Sequence, residues 1–136
     1  MEAEFVRWLR SNLPAHPLLV VGPGDDAAVL GRADAQQTVL TVDMLADGVD
    51  FRLAETDPRR VGRKALAVNL SDIAAMGGTP LWAFLSLAIP PETEIAWLDE
   101  FFRGWRKLGS RAGVHLLGGD TTGSRNSLAI NVVVLG

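Results

Sequence analysis

Four short segments each set an Asp beside a Gly turn or a run of small residues: Gly22-Pro-Gly-Asp-Asp-Ala-Ala28, Leu40-Thr-Val-Asp-Met44, Asn69-Leu-Ser-Asp-Ile-Ala-Ala-Met-Gly-Gly78 and Leu117-Gly-Gly-Asp-Thr-Thr122. They are far apart in the chain, so only folding can gather them, and gathered carboxylates repel one another unless a cation lies between them. Hard divalent ions, Mg²⁺ above all, are held by a few carboxylates together with substrate phosphates. These residue types point to a metal–nucleotide site. Each Asp also has a plain structural use: Asp25 or Asp26 in a turn, Asp43 at a strand end, Asp72 on an exposed helix face, Asp120 in a turn after two glycines. What favours the joint reading is the recurrence of one arrangement, an apolar run followed by Asp and then small or hydroxyl residues. Asp72 is the hardest to assign to structure alone, because Asn69, Ser71 and Asp72 interrupt an otherwise apolar helix.

Two phosphate-binding patterns can be checked directly. The Gly-x-x-x-x-Gly-Lys-Ser/Thr loop is absent. Gly22-x-Gly24-x-x-Ala27 fits a relaxed dinucleotide pattern, but Asp25 and Asp26 at its centre would face a pyrophosphate directly, so that reading is rejected.

The bulk composition narrows the classes. The 136 residues are enough for one domain; 48% are hydrophobic and 21% charged, an ordinary globular balance. Thirteen Lys and Arg against sixteen Asp and Glu give a net charge of −3, with no long basic run, which argues against a nucleic-acid surface. The absence of cysteine excludes disulfides, thiolate chemistry and Cys-ligated zinc. His16 and His115 are isolated and read as surface or packing residues. No apolar run approaches the ~20 residues of a membrane span, and the N-terminus lacks the basic start and apolar core of a signal peptide. A cytoplasmic protein is expected.

The elements that must position the carboxylates follow from periodicity. Residues 2–12 read as a short amphipathic helix with Phe5, Leu9 and Leu13 on one face, ended by Pro14. Leu18–Val21, Ala27–Leu30 and Thr38–Val42 read as strands, the last two separated by the polar stretch Gly31–Gln37. Asp57-Pro58 starts a helix, which should run to about Met76 and stop at Gly77-Gly78 with Val61, Ala65, Val68 and Ala75 on its apolar face. Leu81–Ile89 is a strand closed by Pro90-Pro91. Residues 92–112 form the clearest helix, with Ile95, Leu98, Phe102, Trp105 and Leu108 as a core stripe and Gly113 as its stop. Val114–Leu117 is a strand running into Gly118-Gly119-Asp120, and Leu128–Leu135 is apolar on both faces, as a central or partner-covered strand is. This order predicts an α+β fold with a mixed sheet rather than a regular βαβ repeat.

Taken together, Gly24-Asp25-Asp26-Ala27, the long segment Lys64-Ala-Leu-Ala-Val-Asn-Leu-Ser-Asp-Ile-Ala-Ala-Met-Gly77 and Gly118-Gly-Asp-Thr-Thr122 resemble the thiamine-monophosphate kinase family, within the wider group that includes aminoimidazole ribonucleotide synthetase. The resemblance runs from about Glu4 to Gly136 and covers about the N-terminal half of the family's enzymes. It implies that residues 1–136 are an N-terminal ATP- and Mg-binding, dimerising domain, with the family's C-terminal domain outside this chain. It further implies the fold of the aminoimidazole ribonucleotide synthetase N-terminal domain, paired sheet to sheet in a homodimer. The implied reaction is ATP-dependent phosphorylation of thiamine monophosphate to thiamine diphosphate, by direct transfer with several Mg²⁺ ions, no covalent enzyme intermediate and hence no catalytic nucleophile. That suits phosphoryl transfer, which is mostly positioning and charge neutralisation.

By the same resemblance, metal roles fall on Asp26, Thr41, Asp43, Asp72 and Asp120. They fall also on Val42, where a hydroxyl residue is common and only the backbone carbonyl can serve. Gly119 and Asp120 match a nucleotide-contacting pair, and Phe102 a position where an aromatic lies near the nucleotide; Phe102 also belongs to the core stripe. Asp50, in Asp47-Gly-Val-Asp-Phe51, matches a substrate-contacting position where His is common. Lys64 reads as an exposed helix lysine, with phosphate contact as the rival role. ATP and thiamine monophosphate are the expected partners, with no nucleic acid and no membrane. The alternatives are a related ATP-dependent enzyme of the same superfamily and an inactive dimerisation module; selenophosphate synthesis is disfavoured because it needs a Cys.

Overall fold

The computed structural model describes all 136 residues. Their order is α1 (Glu2–Asn12), β1 (Leu19–Val21), β2 (Ala28–Gly31), β3 (Gln37–Ala46), α2 (Pro58–Ala75), β4 (Trp82–Ile89), α3 (Ile95–Ala112), β5 (His115–Gly123) and β6 (Ala129–Leu135). The strands make one mixed sheet in the order β1-β2-β3-β6-β4-β5. Every neighbouring pair is antiparallel except β4 and β5, which run parallel and are joined through α3. A parallel pair needs such a crossover, and a helix is its usual form. The expected α+β fold with a mixed sheet is the observed one. No helix is long and apolar enough to cross a membrane.

Strand periodicity separates two faces. On β3 the buried Val39, Thr41 and Leu45 alternate with the exposed Val42 and Met44. On β4 the buried Ala83, Leu85 and Leu87 alternate with the exposed Trp82 and Phe84, and on β6 Ile130, Val132 and Val134 are buried. The buried set faces α2, which lies across β3 and β6, and α3 packs on α2. The central place of β6, between β3 and β4, accounts for its apolar character on both faces. The opposite face of the sheet carries no helix and leaves Val42, Met44, Trp82 and Phe84 exposed.

Local chemistry sets the helix ends. The Asp57 carboxylate accepts the Arg59 N–H at 2.9 Å, and Pro58 takes the first helical position, where its missing N–H costs nothing. Gly77 and Gly113 leave α2 and α3 at φ +72° and +70°, a region that favours glycine. Asp57→Ala should lower stability by about 1 kcal/mol, read as a smaller urea midpoint with an unchanged slope.

The two helices cross at glycines. A Cβ on Gly62 would lie 2.0 Å from the Phe101 carbonyl oxygen, and one on Gly104 2.0 Å from that of Arg59. Backbone therefore meets backbone, and Phe101 and Trp105 are driven into the core beside the crossing.

Several details differ from the sequence reading. The face of α1 that carries Phe5, Leu9 and Leu13 has no buried residue in this chain. On α2 the buried face is Val61, Ala65, Leu66, Asn69 and Ile73, whereas Ala75 is exposed in the last turn, where the helix passes the end of its contact with the sheet. Helix α3 begins at Ile95 rather than 92, and Ile95 is exposed while Phe101 takes the central buried place. Gly118-Gly119-Asp120 is not a turn: β5 continues through it to Gly123, because β4 supplies a parallel partner along its whole length.

Candidate metal and phosphate site

Strand β3 places Thr41 and Asp43 on the helix-facing side, two residues apart, as strand period demands. Strand β2 pairs with β3 only as far as Ala28↔Leu40, so beyond Leu40 the β2 side of β3 has no strand partner. Asp26 lies just before β2, and α2 brings Asp72 down on the same region. The Thr41 hydroxyl, 2% exposed, reaches an Asp72 carboxylate oxygen at 3.1 Å, and the Asp26 carbonyl oxygen lies at 3.5 Å from it. Three of the four Asp segments thus meet at one threonine.

The electrostatics of this corner are those of an unneutralised pair. Asp43 is pushed above the ordinary carboxylate range, first by burial, then by the charge of Asp72 and the hydrogen bond between the two carboxyl groups, then by the charge of Asp50. Without a cation, a carboxyl group beside a second carboxylate holds its proton to higher pH. The donor set here, two carboxylates, a hydroxyl and a backbone carbonyl, is all hard oxygen and fits Mg²⁺. Asp26 keeps an exposed carboxylate, and Asp25 shapes the turn: its side chain accepts the Asp26 N–H at 2.9 Å beside Gly24 at φ +107°.

The loop after β3 borders this corner. The Asp50 carboxylate accepts the Ala46 N–H at 2.8 Å, and the Asp47 carboxylate accepts the Leu53 N–H at 2.9 Å, which folds residues 46–53 into a compact turn. Lys64 is exposed, as expected of a helix lysine, yet its ammonium donates to the Asp50 carbonyl at 2.8 Å and ties α2 to this loop. The spacing of Lys64 and Asp72, two helical turns apart on one stripe, is the signal that would have marked it. Asn69 was read only as a polar interruption; it is fully buried, its amide donates to the Ala65 carbonyl at 3.1 Å, and its Oδ1 has no partner.

Other expected site residues lie elsewhere. Val42 projects to the open face, 52% exposed. Asp120 shares a register row with Ser86, Asn131 and Met44 and lines a 140 Å³ recess with them on that open face, across the sheet from Asp43. No three acidic or His side chains of this chain are close enough to hold one ion jointly. A Cβ on Gly119 would lie 1.7 Å from the Leu85 carbonyl oxygen, so only glycine lets β5 approach β4 here. Phe102 is half-buried against the core and meets Phe101 edge to face at 6.1 Å.

Residues 24–136 match the model of the AIR synthase related protein, N-terminal domain. The chain belongs to that family. This AIR synthase related domain is 41% identical to the thiamine-monophosphate kinase of Rhodopirellula baltica over 145 aligned positions, covering 100% of this chain and 45% of that protein. It is 38% identical to the thiamine-monophosphate kinase of Bacillus subtilis, covering 89% of this chain and 37% of that one. The structure of AaThiL complexed with AMPPCP and TMP superposes on the domain with a TM-score of 0.89 at 30% identity, covering 99% of this chain and 41% of that one. The domain thus spans less than half the length of these relatives.

Proposed function

We propose that this domain is the metal-holding, dimerising N-terminal part of a thiamine-monophosphate kinase, which transfers a phosphoryl group from ATP to thiamine monophosphate. The observation that carries the reading is the meeting of Thr41, Asp43, Asp72 and the Asp26 carbonyl at one corner of the sheet, with Asp43 pushed upward by burial and then by its acidic neighbours. Asp43 and Asp72 would hold Mg²⁺, with Thr41 orienting Asp72 and Asp26 supplying its carbonyl or its free carboxylate. Bound there, Mg²⁺ neutralises phosphate charge in a transfer governed by positioning. Lys64 and the Asp50 turn keep the loop beside the metal in place; Asp50, through its second carboxylate oxygen, is the substrate contact on this chain.

Sheet-to-sheet pairing of two copies would cover Val42, Met44, Trp82 and Phe84, a contiguous apolar surface of the kind that marks an interface. Asp120 lies at that surface rather than beside Asp43, and Gly119 lies in the register row of Asp43 but three strands away from it, so their nucleotide contact belongs to a site completed by a second copy or by the family's C-terminal domain. The reading places the enzyme in the cytoplasm.

The test is formation of thiamine diphosphate from Mg–ATP and thiamine monophosphate by the full-length enzyme, with formylglycinamidine ribonucleotide as the comparison acceptor. Asp72→Asn should cut turnover on the order of 100-fold or more while leaving the far-ultraviolet circular dichroism spectrum unchanged. Turnover of the comparison acceptor alone would move the protein to another branch of the superfamily.

A further inference from the structure

The outer surface of the helix layer gathers charge that the linear sequence disperses. Arg59, Arg60 and Arg63 of α2 and Arg103, Lys107 and Arg111 of α3 line one open cavity of 440 Å³ over the Gly62–Gly104 crossing. On α3 the three cations stand at i, i+4 and i+8, and on α2 Arg59 and Arg63 stand at i and i+4, spacings at which like charges repel. The α2 cations also sit in its first turns, where the helix dipole disfavours positive charge and the Asp57 cap is the one acidic residue beside them. Glu100 pairs with Arg59, and Asp99 and Glu100 pair with Arg103. Arg60, Arg63, Lys107 and Arg111 have neither an ion pair nor a side-chain hydrogen bond. A chain of net charge −3 therefore concentrates four uncompensated cations in one concavity.

We propose that this groove is a binding site for a compact oligophosphate, separate from the Asp43–Asp72 corner. Five of the six cations are guanidinium groups, whose planar forks match phosphate oxygens. The volume lies in the range of small-ligand pockets. Leu108 is the single apolar lining residue and no aromatic side chain is present, so the groove offers nothing on which a nucleobase could stack. Recognition is thus of the phosphate chain alone, whether free or carried by a nucleotide. The proposal does not rest on the kinase reading.

The test is calorimetric titration of the full-length protein with inorganic triphosphate in EDTA, which removes divalent metal from the acidic corner. One saturable site is expected. The triple variant Arg63→Gln, Lys107→Gln, Arg111→Gln should bind at least tenfold more weakly, whereas Asp72→Asn should bind as the wild type does. The three substituted side chains are exposed and unpaired, so the unliganded variant should melt no lower than the wild type, and triphosphate should raise only the wild-type melting temperature. Metal-free ATP should match triphosphate in affinity. Absence of saturable heat, undiminished binding by the triple variant, loss of binding in Asp72→Asn, a tenfold preference for ATP, or single-stranded RNA binding more tightly than triphosphate would each overturn the proposal.

Discussion

Alanine at position 104 is expected to lower the melting temperature by about 10 °C. The added methyl would stand 2.0 Å from the Arg59 carbonyl oxygen and 2.7 Å from the Arg59 carbonyl carbon. Both are backbone atoms, so no side chain can rotate aside, and α2 and α3 must separate or slide. Separation would loosen Phe101 and Trp105, the largest side chains of the core, at 0% and 2% exposure. Overpacking of this kind costs about 1–3 kcal/mol, and more where nothing can yield. Alanine returns about 1 kcal/mol of helix propensity, which from the upper end of that cost leaves a net loss of about 2 kcal/mol. For a domain of this length each kcal/mol is worth roughly 3–5 °C. Gly123→Ala is the matched control: a Cβ there meets nothing within 4 Å and φ is ordinary, so its melting curve should not move. A Gly104→Ala protein as stable as the control would show that the helices do not cross in backbone contact.

Asp43→Asn should act in opposite directions on the metal-free and metal-bound protein. The folded chain holds the Asp43 proton to higher pH than the unfolded chain, whose carboxyl titrates near 3.8. Stability contributed by Asp43 is therefore fully present below that value and is lost as pH rises through the raised folded value. At neutral pH in EDTA the wild type bears the full repulsion between Asp43 and Asp72, and the asparagine variant should melt higher. Below about pH 4 the two proteins should converge, since the unfolded carboxyl is then protonated too. On the proposed metal site, Mg²⁺ should reverse the order. The wild type should gain stability and the variant little, because the proposed site has then lost one of its two carboxylates. Differential scanning fluorimetry at pH 4, 5.5 and 7, with EDTA or Mg²⁺, measures all of this. A variant that melts lower than the wild type at pH 7 in EDTA would remove the electrostatic account of the corner.

The legibility of the fold was uneven for physical reasons. Asp57-Pro58, Gly77 and Gly113 marked the helix ends because capping is local chemistry, settled within a few residues. The strand character of residues 38–42 and 81–89 was equally local. The end of β5 was misread because Gly118-Gly119 is turn chemistry by composition, and only the parallel partner β4 holds it extended. The buried face of α2 was shifted for a similar reason. Helical periodicity locates an apolar stripe, but the sheet underneath chooses Leu66, Asn69 and Ile73 over Ala75. Gly62 and Gly104 gave no signal at all, since a helix-interior glycine looks like a simple defect until a second backbone is seen against it.

The sequence alone determined the chemistry on offer: which residues are hard oxygen donors, that no thiol exists, and which segments carry the family resemblance. Tertiary structure decided which donors meet. Asp43, Asp72, Thr41 and the Asp26 carbonyl converge because β3 and α2 pack together, whereas Asp120 goes to the other face of the sheet, across from them. It also decided where six dispersed cations become one groove. Residue type is a local property, but proximity between distant segments depends on strand order and helix crossing, which the burial of the whole core selects.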